Sequence, residues 1–212
     1  MRFADRAEAG RALADAMRDL DLQDPVVLGL PRGGVPVAAE VAGVLGAPLD
    51  VFVARKVGAP GHEEYGIGAV AEGGVWVSDD AILPRLGITP EAFDRLAARA
   101  DAEVVANVER FRRGRPLPPV ADREVVLVDD GLATGMTALA ALRALRRLRP
   151  SRLVLAEPVC AASALRALGR EADDTVCVHQ PEDFHAVGAW YVDFRPTSDE
   201  EVLRHLRAGA GA

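Results

Sequence analysis

Five short apolar runs alternate along the chain with segments of helical period, and that alternation limits the folds open to it. PVVLGL (25–30), LDVFVA (49–54), EVVLVDD (124–130), RLVLAEPV (152–159) and DTVCVH (174–179) are rich in β-branched residues and too short for buried helices. Helical patterns follow three of them, at VPVAAEVAGVLG (35–46), from Met136 to Leu148 and from Ser163 to Arg170. A strand, a helix and a second strand in succession imply a parallel crossover. The expected fold class is therefore α/β, a doubly wound and mainly parallel sheet. An insertion separates the second strand from the third. Within it, RKVGAPGHEEYGIG (55–68) holds four glycines and one proline with no apolar period, which predicts a long loop. GAVAEGGVWV (68–77) reads as a hairpin turning at Gly73-Gly74. Thr89-Pro90-Glu91 opens a helix that runs to about Gly114, with a capping hydroxyl and a proline at the first helical position. Further helices are expected over 5–20, on Ala9, Leu13, Ala16, Met17 and Leu20, and after an N-cap at Ser198.

With 212 residues the chain suits one domain, a core over about 24–180 with a small hood from the N-terminal helix and the tail over about 180–212. The net charge is −7 and no Lys/Arg-rich run is present, which argues against nucleic acid and anionic membranes as partners. The N-terminus MRFADRAEAGRALADAM is charged from its start, and no apolar run reaches membrane-spanning length, so a cytoplasmic location is expected. Neither Cys160 nor Cys177 lies in a CxxC motif, and two reduced thiols are expected rather than a disulfide or a zinc site.

The chemistry concentrates in VVLVDDGLATGMT (125–137). In a sheet of this kind ligands sit beyond the carboxyl ends of the strands, where Asp129-Asp130 and the loop after them fall. Backbone N–H groups at the next helix start, with the Thr134 and Thr137 hydroxyls, suit one phosphate, and Gly135 permits close approach. Two acids beside a phosphate loop make sense if the ligand carries a diol next to its phosphate, because ionised Asp accepts hydroxyl hydrogen bonds. The pair would also attract a hydrated Mg²⁺. No GxxxxGK[ST] occurs, and no GxGxxG follows the first strand.

This string closely resembles the phosphoribosyl diphosphate (PRPP) signature of the type I phosphoribosyltransferases. The resemblance implies that Asp129 and Asp130 take the ribose hydroxyls, and that Ala133, Thr134, Gly135, Met136 and Thr137 hold the 5′-phosphate. It further implies a diphosphate loop at LPRGGVP (30–36), with Arg32, Gly33 and Gly34, and a basic pair, Arg55-Lys56, ahead of a lid over 57–67 in which His62, Glu63, Glu64 and Tyr65 could act. The tail PEDFHAVGAWYVDF resembles the base clamp of the hypoxanthine-guanine members. That maps Phe184 to a stacking position and Asp193 to an acid near base or diphosphate, with Trp190 and Tyr191 as alternative platforms. Asp129, Asp130, Lys56 and Arg32 become the expected catalytic set, and Mg²⁺ the expected cofactor, held by the two acids through water.

The chain also departs from that family. Ala133 stands where the hypoxanthine-guanine members carry an Asp, and RLVLAEPV offers Glu157 in place of a base-reading Lys. The expected function is transfer of the phosphoribosyl group of PRPP to a nucleobase-like nitrogen, in a purine-salvage-like branch of nucleotide metabolism, with diphosphate released. The alternative is a PRPP- or nucleotide-sensing regulator without turnover. A phosphatase would need an acidic nucleophile with a second acid two residues on, which DDGLATG lacks. A homodimer is carried as a partner expectation, and the acceptor stays open.

Overall fold

A computed structural model describes residues 2–209, apart from the Glu64 side chain, so the last three residues of the expected tail and one expected lid side chain lie outside the described residues. The chain runs through α1 (Arg6–Ala16), β1 (Val26–Gly29), α2 (Gly34–Leu45), β2 (Leu49–Val51), β3 (Ala54–Ala59), β4 (His62–Ala71), β5 (Val75–Ser78) and α3 (Pro90–Arg112). It continues with β6 (Glu124–Val128), α4 (Met136–Arg147), β7 (Arg152–Val159), α5 (Ala162–Leu168), β8 (Asp174–His179) and α6 (Asp199–Gly209).

The five apolar runs form one sheet in the order β2-β1-β6-β7-β8, and each neighbouring pair is parallel. Alternate side chains feed two cores, as a sheet covered on both faces requires. Val27, Val126, Val128 and Val154 pack toward α2 and α1, while Val125, Leu127, Leu153 and Leu155 pack toward α4. From β1 the chain winds outward to β2, and from β6 it winds the other way to β7 and β8. The order therefore reverses between β1 and β6, and a crevice at such a point is where open α/β sheets hold ligands.

The insertion forms a second, antiparallel sheet in the order β3-β4-β5. Residues 55–68, expected as a long loop, are a hairpin in which Val57 opposes Gly68 and Ala59 opposes His62. The glycines that suggested a loop serve close approach. A Cβ at Gly58 would lie 2.3 Å from the Glu63 carbonyl oxygen, and one at Gly68 2.6 Å from the Phe93 ring. The second expected hairpin is present, with Gly73 and Gly74 both at positive φ in its turn. The insertion is tied down by Arg112 at the end of α3, which is 4% exposed. Arg112 pairs with Glu72 at 2.9 Å and faces Asp50 on β2 at 3.6 Å. Burial pushes the Glu72 carboxyl up, against the pull of Arg112.

The first residues and the tail segment 190–193 meet side by side. Phe3 N–H donates to the Trp190 carbonyl, Val192 N–H to Phe3 and Asp193 N–H to Ala4, so the first residues run beside the tail. Helix α6 begins after Ser198, whose hydroxyl accepts from Glu201 N–H at 3.1 Å. Among the described residues no helix is long and apolar enough to cross a membrane.

Candidate functional site

The loops after β1 and β6 face each other across the reversal in strand order. Leu30 N–H donates to the Val128 carbonyl at 2.8 Å, which starts the two loops side by side. Their contact then demands glycine. A Cβ at Gly33 would sit 2.0 Å from Asp130 Oδ2, and one at Gly34 would sit 2.6 Å from the Val128 oxygen and 2.8 Å from the Asp129 Cα. The glycine pair of LPRGGVP is thus what allows the first loop to close onto the two acids. The Pro31–Arg32 peptide in this loop is cis.

Helix starts supply the other half of the site. Helices α1, α3 and α6 open on a side-chain cap, from Asp5, Thr89 and Ser198. Helices α2 and α4, which open from these two loops, begin on Gly33 and Gly135 with no side-chain cap and no acid in the first turn. The short α5 also lacks a cap, but it lies one strand further along. First-turn N–H groups carry partial positive charge suited to an anion, although at α2 the Gly34 and Val35 N–H groups already donate to the Leu30 and Arg32 carbonyls at 3.0 and 3.2 Å. Gly135 has φ 79°, a left-handed conformation that other residues rarely adopt. Ala133 and Thr134 are exposed beside it, and Met136 and Thr137 are half-buried.

The acids lie between these two starts. Asp129 Oδ1 accepts from Asp130 N–H at 2.8 Å. Burial pushes the Asp129 carboxyl well up, and the charge of Asp130 adds to the rise. Asp130 is also raised by burial, but the Arg6 guanidinium opposes the rise. Arg6, the first residue of α1, donates through Nε to Asp130 Oδ2 at 2.9 Å, and its NH2 lies 2.8 Å from the same oxygen. The signature-based reading did not reach Arg6, and no local pattern marks an Arg at residue 6 as facing residue 130. Tyr191 was missed in this role as well: its hydroxyl donates to the Asp130 carbonyl oxygen at 2.6 Å.

The remaining expected residues fall into three settings. Arg32 pairs with Asp199 at the start of α6 at 3.0 Å, and Arg110 shares that carboxylate. Arg55 and Lys56 lie on β3 rather than in a loop, and Arg55 meets Glu103 of α3 at 2.6 Å. In the tail, Tyr191 is 2% exposed within a cluster with Phe3, Ala9 and Val159, so it is a core residue and no open stacking platform. Phe184 packs half-buried against that cluster, and Trp190 stands edge-on to His179 with ring centroids 4.8 Å apart. Asp193 accepts from Arg195, which with the Arg195 backbone N–H lowers its carboxyl to about 2. Glu157 is fully buried with both carboxyl oxygens unpaired, beside the two acids, whose charges push its carboxyl up further.

The model of the phosphoribosyl transferase domain family matches residues 4–195. A Mycobacterium tuberculosis protein named "Putative phosphoribosyl transferase Rv0571c" is 44% identical over 204 residues, covering 96% of this chain. The match takes up 46% of that relative, so the chain spans about half the length of the curated relatives it matches. The crystal structure of TT1426 from Thermus thermophilus is 47% identical and superposes with a TM-score of 0.82, covering 97% of this chain and 98% of that one. AQ2163 from Aquifex aeolicus, at 13% identity and a TM-score of 0.53, covers 86% of this chain and 76% of its own, and shares the fold alone.

Proposed function

The chain belongs to the phosphoribosyl transferase domain family, and we propose that it transfers the 5-phosphoribosyl group of PRPP to a nucleobase-like nitrogen, with release of diphosphate. One observation carries the reading: two uncapped helix starts and an acid pair meet at the reversal of strand order, in contact that only glycine permits. A ligand with phosphate at one end, a diol in its middle and diphosphate at the other matches that layout. The 5′-phosphate lies on the N–H groups of residues 133–137, the diol on Asp129 and Asp130, and the diphosphate on residues 32–34.

The reaction leaves C1 of the ribose electron-poor as diphosphate departs and the acceptor nitrogen arrives. The chain's part is to position both ends and to balance charge, with no covalent nucleophile. Asp129 and Asp130 place negative charge beside the ribose, while Arg32 and Lys56 attend the leaving group. For Arg32 this requires leaving Asp199, a half-exposed carboxylate that keeps Arg110 as its partner.

Mg²⁺ fits the donor set. Among the described residues no group of three or more His, Cys, Asp or Glu is arranged to hold a metal, and Mg²⁺ commonly relies on one or two carboxylates, its own waters and substrate phosphates. Asp129 and Asp130 would hold it through water, and the ion would neutralise charge on the diphosphate.

The acceptor stays unnamed. Ala133 brings no acid to the base, and Glu157 is sealed in the core, so any reading of a base falls to Phe184, Trp190 and Asp193 in the tail. That gap favours a second reading, a non-catalytic sensor of PRPP or nucleotides on the same fold. The proposal includes a single domain with a hood from the chain ends, and a cytoplasmic setting in keeping with two free thiols. Isothermal titration with PRPP and Mg²⁺ tests the site. Wild type is expected to bind and an Asp129→Asn, Asp130→Asn double variant to lose binding; no binding by wild type refutes both readings. A diphosphate-release assay over purine, pyrimidine and amine acceptors then separates enzyme from sensor.

A further inference from the structure

Arg6 lies outside every motif that suggested the site, yet its side chain is 12% exposed and ends at the site's centre. Nε and NH2 both reach Asp130 Oδ2, and NH1 donates to the Arg195 carbonyl at 2.8 Å. The guanidinium carbon stands 4.1 Å from the centroid of the Phe194 ring, within the range of a cation–π contact. Asp5 caps the same helix by accepting from Glu8 N–H at 2.8 Å, which fixes Arg6 at its first position. The backbone bonds between Phe3-Ala4 and Trp190–Asp193 hold that helix start against the tail, and the tail's Tyr191 grips the Asp130 carbonyl. Asp130 is therefore held at its backbone by one chain end and at its carboxylate by the other.

We propose that Arg6 is a positioning residue for ribose recognition: by loading Asp130 Oδ2 alone, it fixes the carboxylate so that Oδ1 accepts a ribose hydroxyl. The proposal rests on the phosphoribosyl reading above. The bonds described to the Asp130 carboxylate all fall on Oδ2, and a carboxylate has about four acceptor sites over its two oxygens. Cation and hydroxyl thus bind opposite ends of one group rather than competing for it. A planar fork held by the Arg195 carbonyl and the Phe194 face is already ordered, so little freedom remains to be lost when the ligand arrives. Gly33 packs against the oxygen that Arg6 loads, since a Cβ there would stand 2.0 Å from Oδ2 and 3.3 Å from Oδ1, so the crowded end of the carboxylate is the Arg6 end.

The test compares two probes by isothermal titration. Inorganic phosphate needs only the helix start at residues 133–137, whereas ribose 5-phosphate also needs the acids. Wild type is expected to prefer ribose 5-phosphate. Arg6→Met, which keeps an apolar stem for Phe194, is expected to weaken ribose 5-phosphate by about tenfold, the scale of one charge-assisted hydrogen bond, and to leave phosphate within about twofold. Arg6→Lys, which keeps the charge, is expected to fall between them. Equal loss of both probes by Arg6→Lys, with an unchanged unfolding midpoint, would make Arg6 a general scaffold and overturn the proposal. Tighter ribose 5-phosphate binding by either variant would overturn it too, because Arg6 would then be a plug. A wild type without preference between the probes refutes the phosphoribosyl reading and this inference with it, whereas a preference that survives in both variants refutes this inference alone.

Discussion

Replacing Glu157 by Met should stabilise the protein, and by more as the pH rises. Glu157 is 0% exposed, and neither carboxyl oxygen has a hydrogen-bond partner. Burial pushes its carboxyl well above the ordinary glutamate value of 4.5, and the charges of Asp129, Asp130 and Cys177 push it further. Even when protonated, a buried carboxyl without partners costs about 1–3 kcal/mol. Above pH 4.5 the unfolded chain releases this proton while the folded chain keeps it. Stability contributed by the protonated form is complete below that value and is lost as pH climbs toward the folded value, by about 1.4 kcal/mol per pH unit. Methionine has similar volume and neither liability. The expected gain for Glu157→Met is about 1–3 kcal/mol near pH 4.5 and grows as the pH rises from there toward the folded value. Urea unfolding midpoints measured from pH 5 to pH 8 read the difference directly. Glu157→Gln separates the two causes: it keeps the unmet polar atoms but cannot ionise, so it should match wild type near pH 4.5 and exceed it above. A gain for Met that does not grow with pH, or a loss at pH 7, would refute the argument.

Gly33→Ala should abolish ribose 5-phosphate binding with little loss of helix content by circular dichroism, because its Cβ would stand 2.0 Å from Asp130 Oδ2 and displace the acid. Asp199→Asn should free Arg32 and tighten diphosphate binding two- to fivefold (about 0.4–1 kcal/mol) at low ionic strength, with the gain lost in about 0.5 M salt. Arg112→Met should lower the unfolding free energy by roughly 3–5 kcal/mol in urea titrations, because Glu72 would stay buried without its cation.

The acid pair and the helix start after it were legible in the sequence because their pattern is local. VVLVDDGLATGMT holds its strand, its acids and its helix start within thirteen residues, and the structure keeps them together at the end of β6 beside the reversal in strand order. The pair Gly33-Gly34 was legible as a loop, but its role was not, since the atoms that forbid a Cβ belong to residues 128–130. Residues 55–68 were misread as a loop because glycine marks both flexible turns and tight strand contacts, and only the neighbours distinguish them. Tyr191 was read as an open aromatic because composition does not reveal which face of a tail meets the core.

The sequence by itself determined the parallel α/β sheet, the place of its acid pair and the family, since period, turn chemistry and motif spacing are properties of adjacent residues. Only the tertiary structure decided what surrounds the acids. Arg6 reaches Asp130 across 124 positions of chain, Tyr191 reaches it across 61, and Glu157 comes to lie beside it from the next strand. Coulomb energy and desolvation depend on distance in space and on exclusion of water, and neither quantity is written in the order of the residues.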